Sequence, residues 1–272
     1  MNLLFVNSLL SSFLLRISLK IQNKSLQVRI LNLRQLILRQ DCKFLEAEEG
    51  VFIREIDTRF YFPLNLRNIR TFSKGIRYLV EKTSRAYHLD LIDFQENDLV
   101  IDCGANVGVL YYYLRIKHGP SIRYLAFEPG NFEYKFLKIN AVENCELRQA
   151  ALSNVNESLK LFYAPDWADS SIIEPKTYNE IYNIQGIRLD TELNEDIKLL
   201  KVDAEGAEPE VILGAIELLP KIKFISIDLG FERGKNEKST LIEVFDILTK
   251  NNFQPITINK RLVVLFKNKK FN

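Results

Sequence analysis

The sequence is poor in the residues that build disulfide frameworks and zinc sites. Its 272 residues include three cysteines and two histidines. Cys42, Cys103 and Cys145 are odd in number and lie far apart, so no disulfide framework is expected and a reducing compartment, the cytoplasm, is predicted. The ligand spacings typical of zinc sites do not occur, and two histidines are too few for a histidine-rich metal centre.

The chain also lacks a strong excess of either charge. Its formal net charge is +2 at pH 7, which argues against a dedicated nucleic-acid-binding protein, because such proteins usually carry a strongly basic surface. Residues 1–40 are the exception, since they contain six basic residues and no acidic one. These basic residues are Arg16, Lys20, Lys24, Arg29, Arg34 and Arg39.

No uninterrupted apolar run is long enough to cross a bilayer. Residues 3–19 are apolar but broken by Arg16, by Asn7 and by four serines, whereas a membrane span needs ~20 predominantly apolar residues. A clear signal peptide is missing as well. Two interpretations of residues 1–40 stay open. One is a basic amphipathic segment in peripheral contact with a membrane surface; the other, which we favour, is a helical cap packed on a catalytic domain, because a basic face is usually just solvated.

Strands and helices alternate from residue 91 onward, which predicts an α/β domain with a mostly parallel sheet. We expect this domain to cover residues 91–272 and a basic, helical appendage of α/β composition to cover residues 1–90. Strands are predicted at 51–63 (a pair), 99–103, 122–127, 145–150, 198–203 and 223–228, an antiparallel insertion at 159–163 and 186–189, and a hairpin at 253–258 and 262–266. Helices are predicted at 73–89, 107–117, 131–140, 209–219 and 238–251, whereas periodicity leaves 26–38 open between helix and strand.

Residues 98–108 have the pattern of a nucleoside-binding turn. A short apolar strand leads into a glycine-rich turn and the start of a helix. Gly104 and Gly108 have no Cβ, so the backbone can approach a ligand closely there, and the helix turns its free N–H groups toward the same place. Glu128, twenty residues after Gly108, is placed to accept hydrogen bonds from the two ribose hydroxyls.

Asp102 argues against a dinucleotide as the ligand of this turn. A dinucleotide fingerprint has the form G-x-G-x-x-G, whereas this chain has an aspartate, then Gly104, Asn106 and Gly108 at alternate positions. The Asp102 carboxylate would repel a pyrophosphate but would accept a hydrogen bond from an ammonium group, directly or through water. A ligand with a ribose, a positive amino-acid end and no phosphate is S-adenosylmethionine, whose methionine end Asn106 is expected to bind.

The chain resembles the class I methyltransferases and, more narrowly, the FkbM-type family. Four segments carry the resemblance: Val100–Gly108, Phe127–Pro129, Ala150–Ser153 and Lys201–Glu208. The resemblance implies a Rossmann-like class I methyltransferase sheet whose last strand is antiparallel. It also implies transfer of a methyl group from S-adenosylmethionine to a hydroxyl, for example of a sugar, a glycolipid or a secondary metabolite.

The remaining site residues follow from the strand ends. Ala151 and Leu152 are expected to pass beneath the adenine of the cofactor. Asp203, at the end of the fourth core strand, is expected to face both the cofactor and the acceptor, and it is the first candidate for the catalytic base, with Glu205 the second. A positioned carboxylate that takes the hydroxyl proton contributes ~10²–10⁴-fold to such a reaction.

Glu208 lies just beyond these candidates and has two interpretations, a substrate contact or stabilisation of a helix N-terminus by its charge. Together with Asp203 and Glu205 it would also suit Mg²⁺. Transfer from a sulfonium needs no metal, so we predict no metal site. The expected partner is a small-molecule or glycan acceptor and not a nucleic acid, and the oligomeric state is left open. The alternative is a non-catalytic, methyltransferase-like protein that binds a ligand or associates with a membrane.

Overall fold

The computed structural model of the chain describes residues 3–18, 20–48, 50–55, 58–63, 69, 71, 72, 74–164 and 170–271, with side chains from residue 9 onward. The chain divides into two compact units, Met1–Glu81 and Lys82–Asn272. The domain ranges 1–90 and 91–272 stay a prediction. The described residues do not include residue 19 of the apolar segment, residues 56 and 57 of the predicted strand pair, or residue 73 of the predicted helix.

The described part of the first unit includes helices α1 and α2 and a small antiparallel sheet. Helix α1 is Leu3–Ser18, and helix α2 is Lys24–Ile37, whose first turn is capped because the Asn23 side chain accepts a hydrogen bond from the backbone N–H of Leu26. Residues 26–38 are therefore mostly helical. Strands β1 (Cys42–Glu46), β2 (Val51–Glu55) and β3 (Thr58–Phe62) pair in that order. The predicted strand pair is confirmed, and β1 is an additional strand.

The second unit is built on a seven-stranded sheet with the order β14-β15-β11-β10-β4-β5-β6. Neighbouring strands from β11 to β6 are parallel, and β15 is antiparallel to both β11 and β14. The predicted Rossmann-like sheet with an antiparallel last strand is therefore confirmed. The strands are β4 (Leu99–Cys103), β5 (Arg123–Phe127), β6 (Cys145–Arg148), β10 (Ile197–Val202), β11 (Ile222–Asp228), β14 (Phe253–Ile258) and β15 (Val263–Asn268).

Smaller strands stand beside this sheet. Strands β7 (Ala151–Leu152), β8 (Ser158–Tyr163) and β9 (Glu180–Ile187) form a three-stranded sheet of order β7-β9-β8, and β12 (Phe231–Arg233) pairs with β13 (Lys238–Ser239). The single strand predicted over 145–150 is thus wrong in its extent: β6 ends at Arg148, and β7 pairs with β9 instead of β5.

Helices connect the strands at nearly the predicted places. They are α3 (Ile76–Ala86), α4 (Val109–His118), α5 (Asn131–Asn140), α6 (Leu189–Glu192), α7 (Glu208–Leu213) and α8 (Leu241–Lys250), with 3₁₀ turns at Leu89–Leu91, Ile216–Lys221 and Lys269–Phe271. The helix predicted over 209–219 is wrong in its extent, because α7 ends before Gly214. A Cβ at Gly214 would collide with the backbone carbonyl of Ser153, so the chain comes into close contact there.

The strands at the middle of the sheet explain its stability. Every residue of β4 and β10 is buried, as expected for parallel strands covered on both faces. Apolar side chains of these strands pack with α7, α8 and β11 in one core. This rigid centre carries the loops at the carboxyl ends of the strands, where ligands bind in open α/β sheets.

Candidate active site

The turn after β4 is held by its neighbours on both sides. The backbone N–H groups of Gly104 and Ala105 both donate to the carbonyl of Phe127 at the end of β5, at 3.0 and 3.1 Å. Gly104 has φ +74°, and a Cβ there would collide with the backbone carbonyl of Asp203. Gly104 is thus required for the turns after β4 and β10 to touch. Gly108, with φ +89°, precedes the first residue of α4.

Glu128 lies at the end of β5 with both carboxylate oxygens turned toward backbone N–H groups. Oε1 accepts a hydrogen bond from Gly130 and Oε2 from Asn106, each at 2.7 Å. The side chain is only 7% exposed. Burial and the nearby Glu133 carboxylate raise the pKa of Glu128 to about 8, although the two backbone N–H groups act in the opposite direction.

The surroundings of Glu128 fit the ribose of a nucleoside. Each carboxylate oxygen has two lone pairs, so one acceptor site remains on each oxygen beside its backbone N–H. Two adjacent ribose hydroxyls would supply one donor for each. A Cβ on Gly130 would lie 2.9 Å from Glu128 Oε1, so the absence of a side chain there keeps this cradle open.

Asp102 at the end of β4 is buried among partners from the neighbouring strands. Its Oδ2 accepts a hydrogen bond from the Tyr124 hydroxyl at 2.6 Å. Its Oδ1 lies 3.0 Å from Nζ of Lys201, an ion pair whose angle is not that of a hydrogen bond. The residue is 1% exposed. A contact between Asp102 and an ammonium group of the cofactor stays a prediction.

Lys201 joins the ends of β4 and β10 and is the main site residue that our sequence reasoning missed. Its Nζ donates to the backbone carbonyls of Gly104 at 2.8 Å and Cys103 at 3.2 Å. Burial alone would lower the pKa of Lys201, but the carboxylates of Asp102 and Asp203 more than offset this and raise it. A buried lysine is rare unless it is paired, so a lysine inside the apolar strand β10 was the signal available.

Asp203 follows β10 and is partly accessible, with a side chain 24% exposed. Its Oδ2 accepts a hydrogen bond from the Tyr87 hydroxyl at 2.5 Å and lies 4.0 Å from Nζ of Lys201. Burial and the Asp203 carboxylate raise the pKa of Tyr87 well above its ordinary value, so Tyr87 remains the donor. Within the described residues, Oδ1 of Asp203 has no hydrogen-bond partner.

The loop after Asp203 is fixed from inside by Glu208. Oε1 of Glu208 accepts hydrogen bonds from the backbone N–H groups of Ala204 at 3.1 Å and Gly206 at 3.0 Å, and its Oε2 accepts one from the Thr240 hydroxyl at 3.0 Å. Burial raises the pKa of Glu208 to about 7. Glu205 lies within this loop at φ +48°, an uncommon conformation for a residue with a side chain.

Two further carboxylates lie near the end of β11. Oδ1 of Asp228 accepts a hydrogen bond from the backbone N–H of Gly230 at 3.1 Å, and its Oδ2 is 2.9 Å from the Arg261 guanidinium. Burial and the Asp203 and Asp228 carboxylates raise the pKa of Glu232 to about 8. Its Oε2 is buried without a hydrogen bond to any described residue. Asp203, Asp228 and Glu232 therefore form an electrostatically coupled edge of the site.

Ala151 and Leu152 form β7, which pairs with β9, and both are buried. Leu152 belongs to the core of the large sheet, and Ala151 packs with Tyr163 of β8. Their position beneath the adenine stays a prediction. Phe132, near the start of α5, is exposed and packs edge-on against Phe136 with the ring centroids 5.4 Å apart.

A metal centre has no counterpart in the described part of the chain, where no three histidine, cysteine, aspartate or glutamate side chains are grouped to hold an ion. Asp203, Glu205 and Glu208 instead have different surroundings. Glu208 is engaged by the loop and by Thr240, and Asp203 is engaged by Tyr87. Because their contacts differ, we expect these carboxylates to have separate roles.

Comparison with known proteins places this site in a family. The family model of the methyltransferase FkbM domain matches residues 102–255. The chain is 25% identical to methyltransferase sdnD of Sordaria araneosa over 59% of its own length and 83% of that protein's. It is 26% identical to methyltransferase 1 of Beauveria bassiana, over 46% of its own length and 61% of that protein's.

A crystal structure of methyltransferase FkbM from Methylobacillus flagellatus is similar to 74% of the chain, with 17% identity and a TM-score of 0.47, and the chain spans 59% of that protein. The family model covers more than half of the chain, including the turns after β4, β5 and β10. The protein therefore belongs to the FkbM methyltransferase family and is an S-adenosylmethionine-dependent methyltransferase.

Proposed function

We propose that the chain transfers the methyl group of S-adenosylmethionine to a hydroxyl of a sugar, a glycolipid or another small molecule, with Asp203 as the base. The observation that carries this proposal is the state of Asp203. One carboxylate oxygen is held by Tyr87, while the other has no hydrogen-bond partner in the described part of the chain. An acceptor hydroxyl would donate to that second oxygen.

The residues around the turns after β4 and β5 would hold the cofactor. Glu128 would accept hydrogen bonds from the two ribose hydroxyls, while Gly104 and Gly108 keep the backbone close to the ligand and Asn106 contacts its methionine end. Ala151 and Leu152 would form the floor beneath the adenine. Asp102 acts on this site chiefly through Lys201, which it neutralises from within the sheet.

The chemistry assigned to Asp203 is proton transfer. Bound S-adenosylmethionine would supply a methyl group on a positively charged sulfur and would be left as a neutral thioether. As the acceptor oxygen forms its bond to carbon, its proton passes to the free oxygen of Asp203 and then to solvent. The Tyr87 hydrogen bond and the neighbouring Lys201 charge fix the orientation of the carboxylate. Glu205 remains a second candidate for the base.

Acceptor class and location are parts of the same proposal. The small net charge supports a small-molecule or glycan acceptor and not a nucleic acid. Membership of a methyltransferase family supports an enzyme over a non-catalytic binding protein. Cys42, Cys103 and Cys145 are free thiols, which supports the proposed cytoplasmic location because free thiols persist in reducing compartments.

The test is methyl transfer from labelled S-adenosylmethionine to a panel of sugars, glycolipids and hydroxylated metabolites, with the product bond identified by mass spectrometry. Asp203→Asn should lower kcat about 10²–10⁴-fold and leave cofactor binding nearly unchanged. Asp246→Asn is the matched control, since Asp246 is an exposed aspartate on α8 paired with Lys250. Methylation of nitrogen only, or full activity of Asp203→Asn, would refute the proposal.

A further inference from the structure

Helices α1 and α2 bury several polar side chains and leave several apolar side chains exposed, whereas an ordinary surface helix turns its apolar side chains inward. Ser11 and Ser18 of α1 are buried, as are Gln27, Arg34 and Gln35 of α2. By contrast, Phe13 is 58% exposed and Leu36 is 75% exposed. Since α2 also buries Val28 and Leu31, its exposed apolar side chains are additional to those packed inside. Single exposed leucines are common, but an exposed apolar stripe requires an explanation.

The exposed apolar side chains follow the helical period. On α1, Leu9, Phe13 and Arg16 are spaced four and three residues apart, and all three are exposed. On α2, the exposed residues are Leu26, Arg29, Leu33 and Leu36, spaced three, four and three residues apart. Each helix therefore presents one stripe of apolar side chains that includes a single arginine. We call these two sets of residues the apolar stripes.

The charge around the stripes identifies what they bind. Residues 1–40 carry six basic residues and no acidic one, and Arg16, Lys20, Arg29 and Arg39 are exposed. Apolar stripes on helices that carry basic and no acidic side chains are complementary to the interface of an anionic bilayer, where acyl chains lie beneath negative head groups. A second copy of the same basic surface would instead bring like charges together.

We propose that α1 and α2 bind the surface of anionic membranes through their apolar stripes. The apolar side chains would insert at the boundary between head groups and acyl chains while the arginines and lysines contact the head groups. In the described part of the chain, none of the helices has the length and hydropathy needed to span a bilayer. The proposed association is therefore contact with the membrane surface. It does not depend on which acceptor the chain methylates.

The test is co-sedimentation of the full chain with vesicles of phosphatidylcholine alone and of phosphatidylcholine mixed with phosphatidylserine. The wild-type protein should sediment with the anionic vesicles and be released by high salt, because exposed charges are screened. Phe13→Ser combined with Leu36→Ser should lower the partition coefficient about tenfold or more, since each lost side chain removes insertion energy. Arg16→Gln should lower it about fivefold.

Ile242→Ser is the matched control, because Ile242 is 85% exposed on α8 and lies outside the stripes; it should sediment like the wild type. Binding of S-adenosylmethionine by each variant shows that the methyltransferase unit is intact. Wild-type protein that sediments with neither vesicle would refute the inference. So would a wild-type dimer in light scattering that Phe13→Ser with Leu36→Ser converts to monomer, since a second copy would then occupy the stripes.

Discussion

Glu128, near the end of β5, and Glu208, after β10, are both buried glutamates. Their contacts nevertheless give them different roles. Burial raises the pKa of Glu128 to about 8 and that of Glu208 to about 7. Each carboxylate accepts hydrogen bonds from two backbone N–H groups of an adjoining turn. The cost of burying a carboxylate is thus offset in the same way at both places.

The difference lies in how the donors are shared. At Glu208, one oxygen accepts both backbone N–H groups and the other accepts the Thr240 hydroxyl. At Glu128, each oxygen accepts one backbone N–H, and no described side chain donates to either. Glu208 is therefore satisfied by the protein and acts as a brace for the Asp203 loop. Glu128 retains acceptor sites on both oxygens, which is what a ligand with two hydroxyls requires.

The largest expected difference between the two glutamates is in S-adenosylmethionine affinity when each is replaced by glutamine. In Glu128→Gln, either orientation of the amide places its NH₂ against a backbone N–H, and above the pKa of about 8 the charge that would receive the ribose hydroxyls is lost. Two hydrogen bonds to a charged group contribute several kcal/mol, so we expect S-adenosylmethionine to bind about 100-fold more weakly. Calorimetric titration measures this affinity. Glu208→Gln is the matched control and should bind normally; equal affinities for wild type and Glu128→Gln would remove the distinction.

The free energy of unfolding of Glu208 variants tests whether Glu208 braces the Asp203 loop. Glu208→Ala leaves the N–H groups of Ala204 and Gly206 without their acceptor, which should lower the free energy of unfolding by about 2–3 kcal/mol. Glu208→Gln should stay within about 1 kcal/mol of wild type, because the amide oxygen can keep both N–H groups while its NH₂ donates to the Thr240 hydroxyl. Urea denaturation measures both values. A Glu208→Gln variant as unstable as Glu208→Ala would show that the charge itself holds the loop.

The pH dependence of nucleoside binding tests whether the Glu128 carboxylate accepts the ribose hydroxyls. Ribose hydroxyls favour the ionised carboxylate, so affinity should rise as pH rises through the pKa of about 8. Between one unit below and one unit above this pKa, we expect adenosine affinity to increase by up to about tenfold. Adenosine carries the two hydroxyls but no group that titrates in this range. A flat profile in wild type, or an equal rise in Glu128→Gln, would contradict the assignment.

The same pKa has the opposite consequence for the protein without ligand. Glu128 in the folded chain holds its proton up to pH about 8, whereas its ordinary pKa is 4.5. The folded state therefore binds more protons than the unfolded state between these values. Linkage then requires that the contribution of Glu128 to the free energy of unfolding fall as pH rises through this interval. Ligand binding to the ionised carboxylate would counteract that fall.

The sequence predicted the positions of these carboxylates better than their partners. The spacing from Gly108 to Glu128 and the alternation of strands and helices follow from local patterns. The sheet confirms the alternation, whereas ribose binding by Glu128 stays a prediction. The Tyr87 hydroxyl that holds Asp203 comes from 116 residues earlier in the chain, and such a pairing depends on tertiary packing. Lys201 likewise acquires its role only when β4 and β10 lie side by side.

Glu208 and the N-terminal helices show two other features that could not be predicted from the sequence. Charge stabilisation at a helix start was a reasonable interpretation of Glu208, but its hydrogen bonds depend on a loop shaped by Gly206, where a Cβ would lie 2.5 Å from the Arg233 Cα. For residues 1–40, composition left a membrane-surface segment and a helical cap both open, and we favoured the cap. Which face of α1 and α2 is outward depends on burial, and the structure buries Ser11, Ser18, Gln27 and Gln35 while it exposes Phe13 and Leu36.

The smallest expected effect concerns the one side-chain donor that distinguishes Glu208 from Glu128. The Thr240 hydroxyl lowers the pKa of Glu208, against the larger effect of burial. Thr240→Val should raise this pKa further, so its cost should be largest where Glu208 is ionised. We expect the free energy of unfolding to fall by about 1 kcal/mol one unit above the wild-type pKa of about 7, and by less one unit below it. Thr249→Val, which removes a hydroxyl bonded to the Phe245 carbonyl on α8, should show no such pH dependence. If the two variants behaved alike across this interval, the Thr240 bond would not favour the charged form, and Glu208 would resemble Glu128 more closely than its contacts indicate.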